Sequence, residues 1–191
     1  LAQSGSKVET EIKILGPDLD AVRERLPELG ANRALPRALE TNAVFDDGAG
    51  SLRRSDRLLR LRNQRELTVK LPLEDERFKS RREITVMVQG GPAEELLAGL
   101  GYQVVFRYEK YREYWDLDGV IITLDELPFI GTVTEIEGES WKIEDTAARL
   151  GLEGLPTSTS NYLELFADHA RRHDLPDGTF MTFAAEAANR A

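Results

Sequence analysis

Val8-Glu9-Thr10-Glu11-Ile12-Lys13-Ile14 alternates without a break, which is the period of a β-strand whose two faces meet different surroundings. Val8, Thr10, Ile12 and Ile14 share one face, and Glu9, Glu11 and Lys13 share the other. Side chains two apart on a strand stand roughly 6.6 Å from each other along it. At an effective dielectric of ~20, two carboxylates at that spacing repel by about 2–3 kcal/mol. A hard cation between them relieves the repulsion by taking their oxygens as ligands. A charged face in water relieves it by solvation. The heptad alone fits both readings, so the later strands have to decide.

They repeat the pattern. Leu58-Leu59-Arg60-Leu61-Arg62 puts leucines on one side and arginines on the other, and Leu67-Thr68-Val69-Lys70-Leu71 alternates the same way before Pro72. Arg81–Val88, the long run 102–116, Val120–Glu126 and Thr132–Glu137 also read as strands. Their polar sides carry the acids Glu9, Glu11, Glu83, Asp125, Glu135 and Glu137. The same sides carry the bases Lys13, Arg60, Arg62, Lys70, Arg81, Lys110 and Arg112.

Between the strands, Leu19, Val22, Leu26 and Leu29 recur at helical spacing, with Pro27 late in the helix and Gly30 ending it. Residues 36–46 read as extended, closed by a turn at Phe45-Asp46-Asp47-Gly48, with a short turn or helix over 49–55. Asn63-Gln64 and Asp118-Gly119 are hairpin signals. Gly90-Gly91-Pro92 starts a short helix through Leu96, Leu97 and Leu100, and helical spacing returns over 141–150. A last amphipathic helix begins near Ser160 with Tyr162, Leu163, Phe166 and Ala170 inward. The alanine-rich stretch after Asp174 reads as helical or frayed.

The predicted fold is α+β: a closed eight-stranded antiparallel β-barrel, a tunnel with helices packed on its outside. Charges line the inside, apolar residues face out, and the helices supply the cover. Desolvating so many ions costs several kcal/mol each unless they are paired, hydrated or ligated, so stability alone does not account for the lining. Arginine and lysine suit phosphate oxygens, and clustered carboxylates suit Mg²⁺ or Mn²⁺, which are commonly shared with substrate phosphates. Together they describe a site for a metal–polyphosphate complex.

Composition narrows the classes. At 191 residues one domain is the default, here residues 7–173, with residues 1–6 as an N-terminal extension or cloning remnant and 174–191 as a C-terminal tail. The net charge of −9 points away from nucleic acid and from anionic membranes as partners. No cysteine is present, so disulfides and thiolate metal sites are excluded, and a cytoplasmic location fits. His169 and His173, four apart, read as an exposed helical face. A monomer or homodimer is expected, with the aromatic strand 102–116 as the surface for a dimer.

The chain resembles the CYTH superfamily of triphosphate tunnel metalloenzymes. Glu9, Glu11 and Lys13 form its Glu-x-Glu-x-Lys entry signature. Leu59-Arg60-Leu61-Arg62, Thr68-Val69-Lys70, Arg81-Arg82-Glu83, Lys110-Tyr111-Arg112, Asp125 and Glu135-Ile136-Glu137 match its later elements in order, over roughly residues 7–170. The resemblance implies that Glu9, Glu11, Asp125, Glu135 and Glu137 bind Mg²⁺ or Mn²⁺. It implies that Lys13, Arg60, Arg62, Lys70, Arg81, Lys110 and Arg112 hold the phosphates. Glu9, Glu11, Lys13, Lys70 and Glu83 form the expected catalytic group, with Glu83 as a supporting acid that orders the bases.

The sequence departs from the family pattern in three places. Val133 stands where the family often has an aromatic. Ser160-Asn161-Tyr162 stands where it often has Lys/Arg-Ser-Tyr, and no lysine follows Lys142. Arg171 or Arg172 would replace that missing base only if the last helix plugs the tunnel.

The implied activity is divalent-metal-dependent hydrolysis of inorganic triphosphate, thiamine triphosphate or a nucleoside triphosphate. The candidate strands hold no histidine or cysteine to act as a covalent nucleophile. A class IV-type adenylyl cyclase, converting ATP to cyclic AMP and pyrophosphate, has the same lining and is the alternative. A non-catalytic polyphosphate- or nucleotide-binding module is the third reading. It would need mainly the bases.

Overall fold

The opening strand β1 (Gly5–Leu15) pairs antiparallel with β5 (Lys79–Met87) on one side and β8 (Gly131–Glu137) on the other. The structure is a computed structural model that describes residues 4–73, 79–88, 92–175 and 179–189. From β5 the sheet runs through β4 (Glu66–Pro72), β3 (Leu58–Arg62), β2 (Asn32–Asp47), β6 (Tyr102–Leu117) and β7 (Val120–Leu127) to β8. The β6–β7 pairing closes the circuit into eight antiparallel strands, the architecture expected from the alternation. Two short additions flank it: β9 (Thr157–Ser158) on β1, and β10 (Phe180–Met181), parallel to β6.

Turn chemistry sets the hairpins. Asp118 and Gly119 both take positive φ between β6 and β7, as a tight hairpin with the right twist requires, and Asn63 and Gln64 do the same between β3 and β4. In β2 the register shifts between Leu35 and Ala38, where Pro36 has no N–H to offer the ladder.

Helices cover part of the apolar outer face. α1 (Leu19–Glu28) and α4 (Ser140–Arg149) bury Val22, Leu26 and Ile143 against Trp115, Ile122 and Ile136. α3 (Ala93–Gly99) sets Ala93 and Leu97 on Phe45 and Leu61. α5 (Tyr162–Arg172) starts on a reciprocal cap, in which Asn161 Oδ1 accepts from Glu164 N–H and Glu164 Oε2 accepts from Asn161 N–H. Its Tyr162 and Phe166 join Val44, Phe106, Tyr108, Leu127 and Val133. By strand parity those residues point inward at one end of the barrel. The interior is therefore ionic along most of its length and apolar where α5 packs across it.

Several expectations need correction. The extended run predicted from residue 36 begins at Asn32. Phe45, Asp46 and Asp47 stay in the strand opposite Val104, Gln103 and Tyr102, and the turn falls after them. Their acids face α2 (Ser51–Arg54) instead: Asp46 accepts from the Leu52 and Arg53 N–H groups, and Asp47 from Ser51. Gly90 and Gly91 of the predicted helix start lie outside the described residues; Pro92 precedes α3. The helical cover is incomplete, because Val8 of β1, Leu73 and Val86 of β5 remain exposed on the outer face.

The expected dimer surface on the aromatic strand is occupied within the chain. Trp115 is buried under α1, and Tyr111 packs on Phe183 of α6 (Phe183–Asn189) at 5.1 Å between ring centroids. The stretch after Asp174 thus returns to the barrel, and Met181 is fully buried. At the other end β1 starts at Gly5, with Ser6 opposite Ile84.

Candidate active site

Closure of the sheet turns the inward sides of all eight strands into the wall of one cavity of about 780 Å³, within the range of small-ligand sites. Glu9, Glu11, Lys13, Arg60, Arg62, Lys70, Arg81, Glu83, Lys110, Arg112, Glu135 and Glu137 all line it. Of the residues singled out in the sequence, Asp125 alone does not. It is fully buried behind the wall.

Lysines sit between the acids on one side. Lys70 Nζ donates to Glu9 at 2.6 Å and also pairs with Glu83. Lys13 bridges Glu11 and Glu135, the latter at 3.4 Å. Lys7 reaches Glu137 at 2.5 Å and Glu9 at 3.5 Å. On the other side Arg112 grips Asp125, with Nε 2.6 Å from Oδ1 and Nη2 on Oδ2, and Nη2 also meets Glu135. Lys110 Nζ stands 3.2 Å from Asp125 and 3.6 Å from Glu40. Tyr162 Oη donates to Asp125 at 2.7 Å. Every neighbour of the Asp125 carboxylate is thus a base or a phenol, so in this arrangement it anchors Arg112 and Lys110 from behind.

Arg81 is committed as well. Its two terminal nitrogens donate to Asp56 Oδ1 and the Asp56 carbonyl, each at 2.6 Å. Arg60 differs. It is buried, it has no carboxylate within ion-pair distance among the described residues, and its Nε lacks a hydrogen-bond partner.

The electrostatics follow from burial and these neighbours. Burial pulls Lys13, Lys70 and Arg60 towards their neutral forms. Glu11 beside Lys13, Glu9 beside Lys70, and the Tyr108 phenol with the Glu40 and Glu83 carboxylates near Arg60 outweigh it and raise all three. Burial works to raise Glu9 and Glu135, but Lys70 on Glu9 and Arg112 on Glu135 hold both well below the usual carboxylate range. Glu137 goes the other way: burial, then the Glu9 charge, push it up to about 7. Glu83 is raised too, by burial and by its hydrogen bond with Glu9.

Sequence reading missed several wall residues. Glu40, 5% exposed, pairs with Lys110 and Arg62 and is held low, its burial outweighed by those cations. Its signal was present, since Glu40 and Asn42 share one face of an extended run that ends in apolar residues. Lys7, two before Glu9 on the same face, was equally legible. Tyr114 shares the inward face of β6 with Lys110 and Arg112, as alternation along the strand predicts, whereas Tyr162 reaches the site through α5 packing, which no local pattern announces. The departures also have structural outcomes. Val133 is fully buried in the apolar end beneath α5. Arg171 and Arg172 sit at the far, exposed end of that helix on Asp168, so α5 crosses the barrel without bringing a base into it.

The acidic side suits a hard cation by donor type, being all oxygen. Among the described residues no three acidic or histidine side chains converge closely enough to hold an ion unaided. A hard cation here would therefore be held through one or two carboxylates and would need oxygens from outside the chain to complete its shell.

Residues 7–152 match the family model described as CYTH domain. No curated protein matches the chain. Among solved structures, the PH1012 protein of Pyrococcus horikoshii OT3 superposes with a TM-score of 0.70 at 26% identity, covering 82% of this chain and 98% of that one. PH1819 from the same organism gives 0.65 at 30%, covering 84% and 98%. HpAC1 from Hippeastrum, named for adenylyl cyclase and described as having a dominant triphosphatase activity, gives 0.60 at 19%, covering 84% and 95%. With its model matched over most of its length, the chain belongs to the CYTH domain family.

Proposed function

We propose that this protein hydrolyses triphosphate compounds, with a divalent cation, inside the barrel. Arg60 carries the proposal. Its guanidinium is buried with no carboxylate within ion-pair distance among the described residues, Glu40 and Glu83 acting on it from farther off, so an anionic ligand in the cavity would be its direct partner. Arg62, Lys70, Lys110 and Arg112 line the same cavity and complete a cradle for a chain of phosphates. The acids beside Lys70 and Arg112 hold both in their cationic forms, and the cradle can stabilise charge on the transferring and leaving phosphoryl groups.

Glu9, Glu11, Glu135 and Glu137 would hold Mg²⁺ or Mn²⁺, which supplies charge neutralisation and orientation of the phosphates when bound. Lys13 keeps Glu11 and Glu135 in place, and Lys70 does the same for Glu9 and Glu83. Asp125 acts as a positioning residue for Arg112 and Lys110. Water attacks the terminal phosphorus in line, and the bridging P–O bond breaks. The rest of the chain then leaves with the bonding electrons as a diphosphate. HpAC1, described as a triphosphatase with the same fold, has the reaction class proposed here.

The test is product analysis. Inorganic triphosphate, thiamine triphosphate and ATP are each incubated with Mg²⁺ or Mn²⁺ and then with a chelator in excess. Orthophosphate release that stops on chelation supports the proposal. Cyclic AMP with pyrophosphate from ATP assigns a cyclase instead, and tight metal-independent binding with no product assigns a binding module.

A further inference from the structure

Three bases of the cavity stand outside the phosphate cradle: Lys13 and Arg81, both buried, and Lys7, which is not. Lys7 lies two residues before Glu9 on the inward face of β1, near the barrel rim. Its ammonium sits between two acids, 2.5 Å from Glu137 and 3.5 Å from Glu9. Both acids belong to the set proposed above to hold a divalent cation, so this inference rests on that reading. Lys13 and Lys70 also bridge acids, but they are shut into the wall, with 3% and 15% of their side chains exposed. Lys7 is 54% exposed.

We propose that Lys7 is a tethered counter-ion that occupies the Glu9–Glu137 carboxylates when no divalent cation is bound and withdraws into solvent when one arrives. Three physical points favour it. A lysine is a compact charge on a flexible four-carbon stem, so it can follow either state. At the barrel rim its ammonium regains hydration on leaving, whereas Lys13 and Lys70, 3% and 15% exposed, are held among the acids of the inner wall. The two carboxylates stand close together, so when both are ionised a positive charge beside them, ammonium or metal, relieves their repulsion.

The exchange sets metal affinity. Every divalent ion that binds must first displace one ammonium, so Lys7 weakens binding in proportion to the strength of its own pairing. A half-exposed ion pair is a modest competitor. Removing it should tighten the metal by about threefold to fivefold, the upper part of the range for a pair of this kind.

The test uses the full chain and free Mn²⁺, followed by electron paramagnetic resonance, with thermal unfolding as a second readout. Lys7→Met should bind Mn²⁺ about threefold to fivefold tighter than the native protein, and Lys7→Arg should stay within about twofold. In chelator Lys7→Met should melt below the native protein, and Mn²⁺ should raise its midpoint by more. A fixed structural ion pair would instead lower the midpoint equally with and without metal. Arg82→Met removes a base from the outer face of β5, where Arg82 lies opposite Val8, and should leave affinity unchanged. Equal affinities for the native protein and Lys7→Met, or equal tightening by Arg82→Met, would overturn the role of Lys7 while leaving the metal reading intact. No saturable uptake by either protein would overturn the metal reading, and this proposal with it.

Discussion

Arg112 on β6 and Asp125 on β7 stand directly opposite in the sheet register and meet through two hydrogen bonds inside the barrel wall. Lys110 and Tyr162 close on the same carboxylate. One buried aspartate therefore fixes two bases of the cavity and joins α5 to the barrel. Removing one member of a buried pair leaves the other charge uncompensated, which typically costs 3–5 kcal/mol. Asp125→Asn should lose about 3 kcal/mol in urea unfolding at constant m-value. Tyr162→Phe should lose about 1.5–3 kcal/mol, the range for a hydrogen bond to a charged group. A native midpoint for both variants would contradict the anchoring role.

Arg60 should show the opposite balance between stability and activity. Its guanidinium is buried without an acid partner among the described residues, so Arg60→Met should leave stability unchanged or raise it by about 1 kcal/mol. The same variant should lower kcat/KM for the preferred triphosphate by about 100-fold, as the loss of one oriented charge donor does elsewhere. Calorimetric unfolding and steady-state phosphate release test the two halves separately.

The pH response follows from Glu137. Its folded pKa of about 7 lies above the ordinary 4.5 because of burial and the Glu9 charge. Between these two values the native state holds a proton that the unfolded state has released. Metal-free stability should therefore be greatest below about 4.5 as far as this group contributes, and should decline as pH rises to about 7. Divalent-ion affinity should rise over the same interval, since the ligand must be deprotonated. Glu137→Gln should flatten the stability decline in a pH series of urea titrations.

The apolar end can be tested apart from the ionic one. Phe166 is 1% exposed and stacks on Phe106 at 5.8 Å and on Phe129 at 5.4 Å. Phe166→Ala should cost about 3–5 kcal/mol through lost burial and a residual cavity. Arg62, at the opposite end on β3, should keep its partners Glu40 and Glu66. A stability loss below about 1 kcal/mol would mean that α5 does not close the barrel as described.

How much was legible varied by residue. Glu9, Glu11 and Lys13 were readable as one face of a strand because side-chain alternation is local and needs only the backbone pleat. The inverted polarity of β3, β4, β6 and β8 was readable for the same reason, and so was the barrel. Asp125 had the right parity but the wrong surroundings. Parity says that a side chain points inward, not whether Arg112 and Lys110 already enclose it. Glu40 and Lys7 carried the signal too, at the ends of runs whose strands proved longer than their hydrophobic patterns.

The sequence by itself therefore determined the class of fold, the ionic lining and nearly all of the residues in it, since each depends on neighbours two apart in the chain. Only the tertiary structure decided which acid faces which base, that Arg60 has none within ion-pair distance among the described residues, that α5 packs across one end, and where the outer face stays bare. Those features arise when strands far apart in sequence are brought into register by closure of the sheet, and the contacts across a barrel have no trace in the spacing along any one strand.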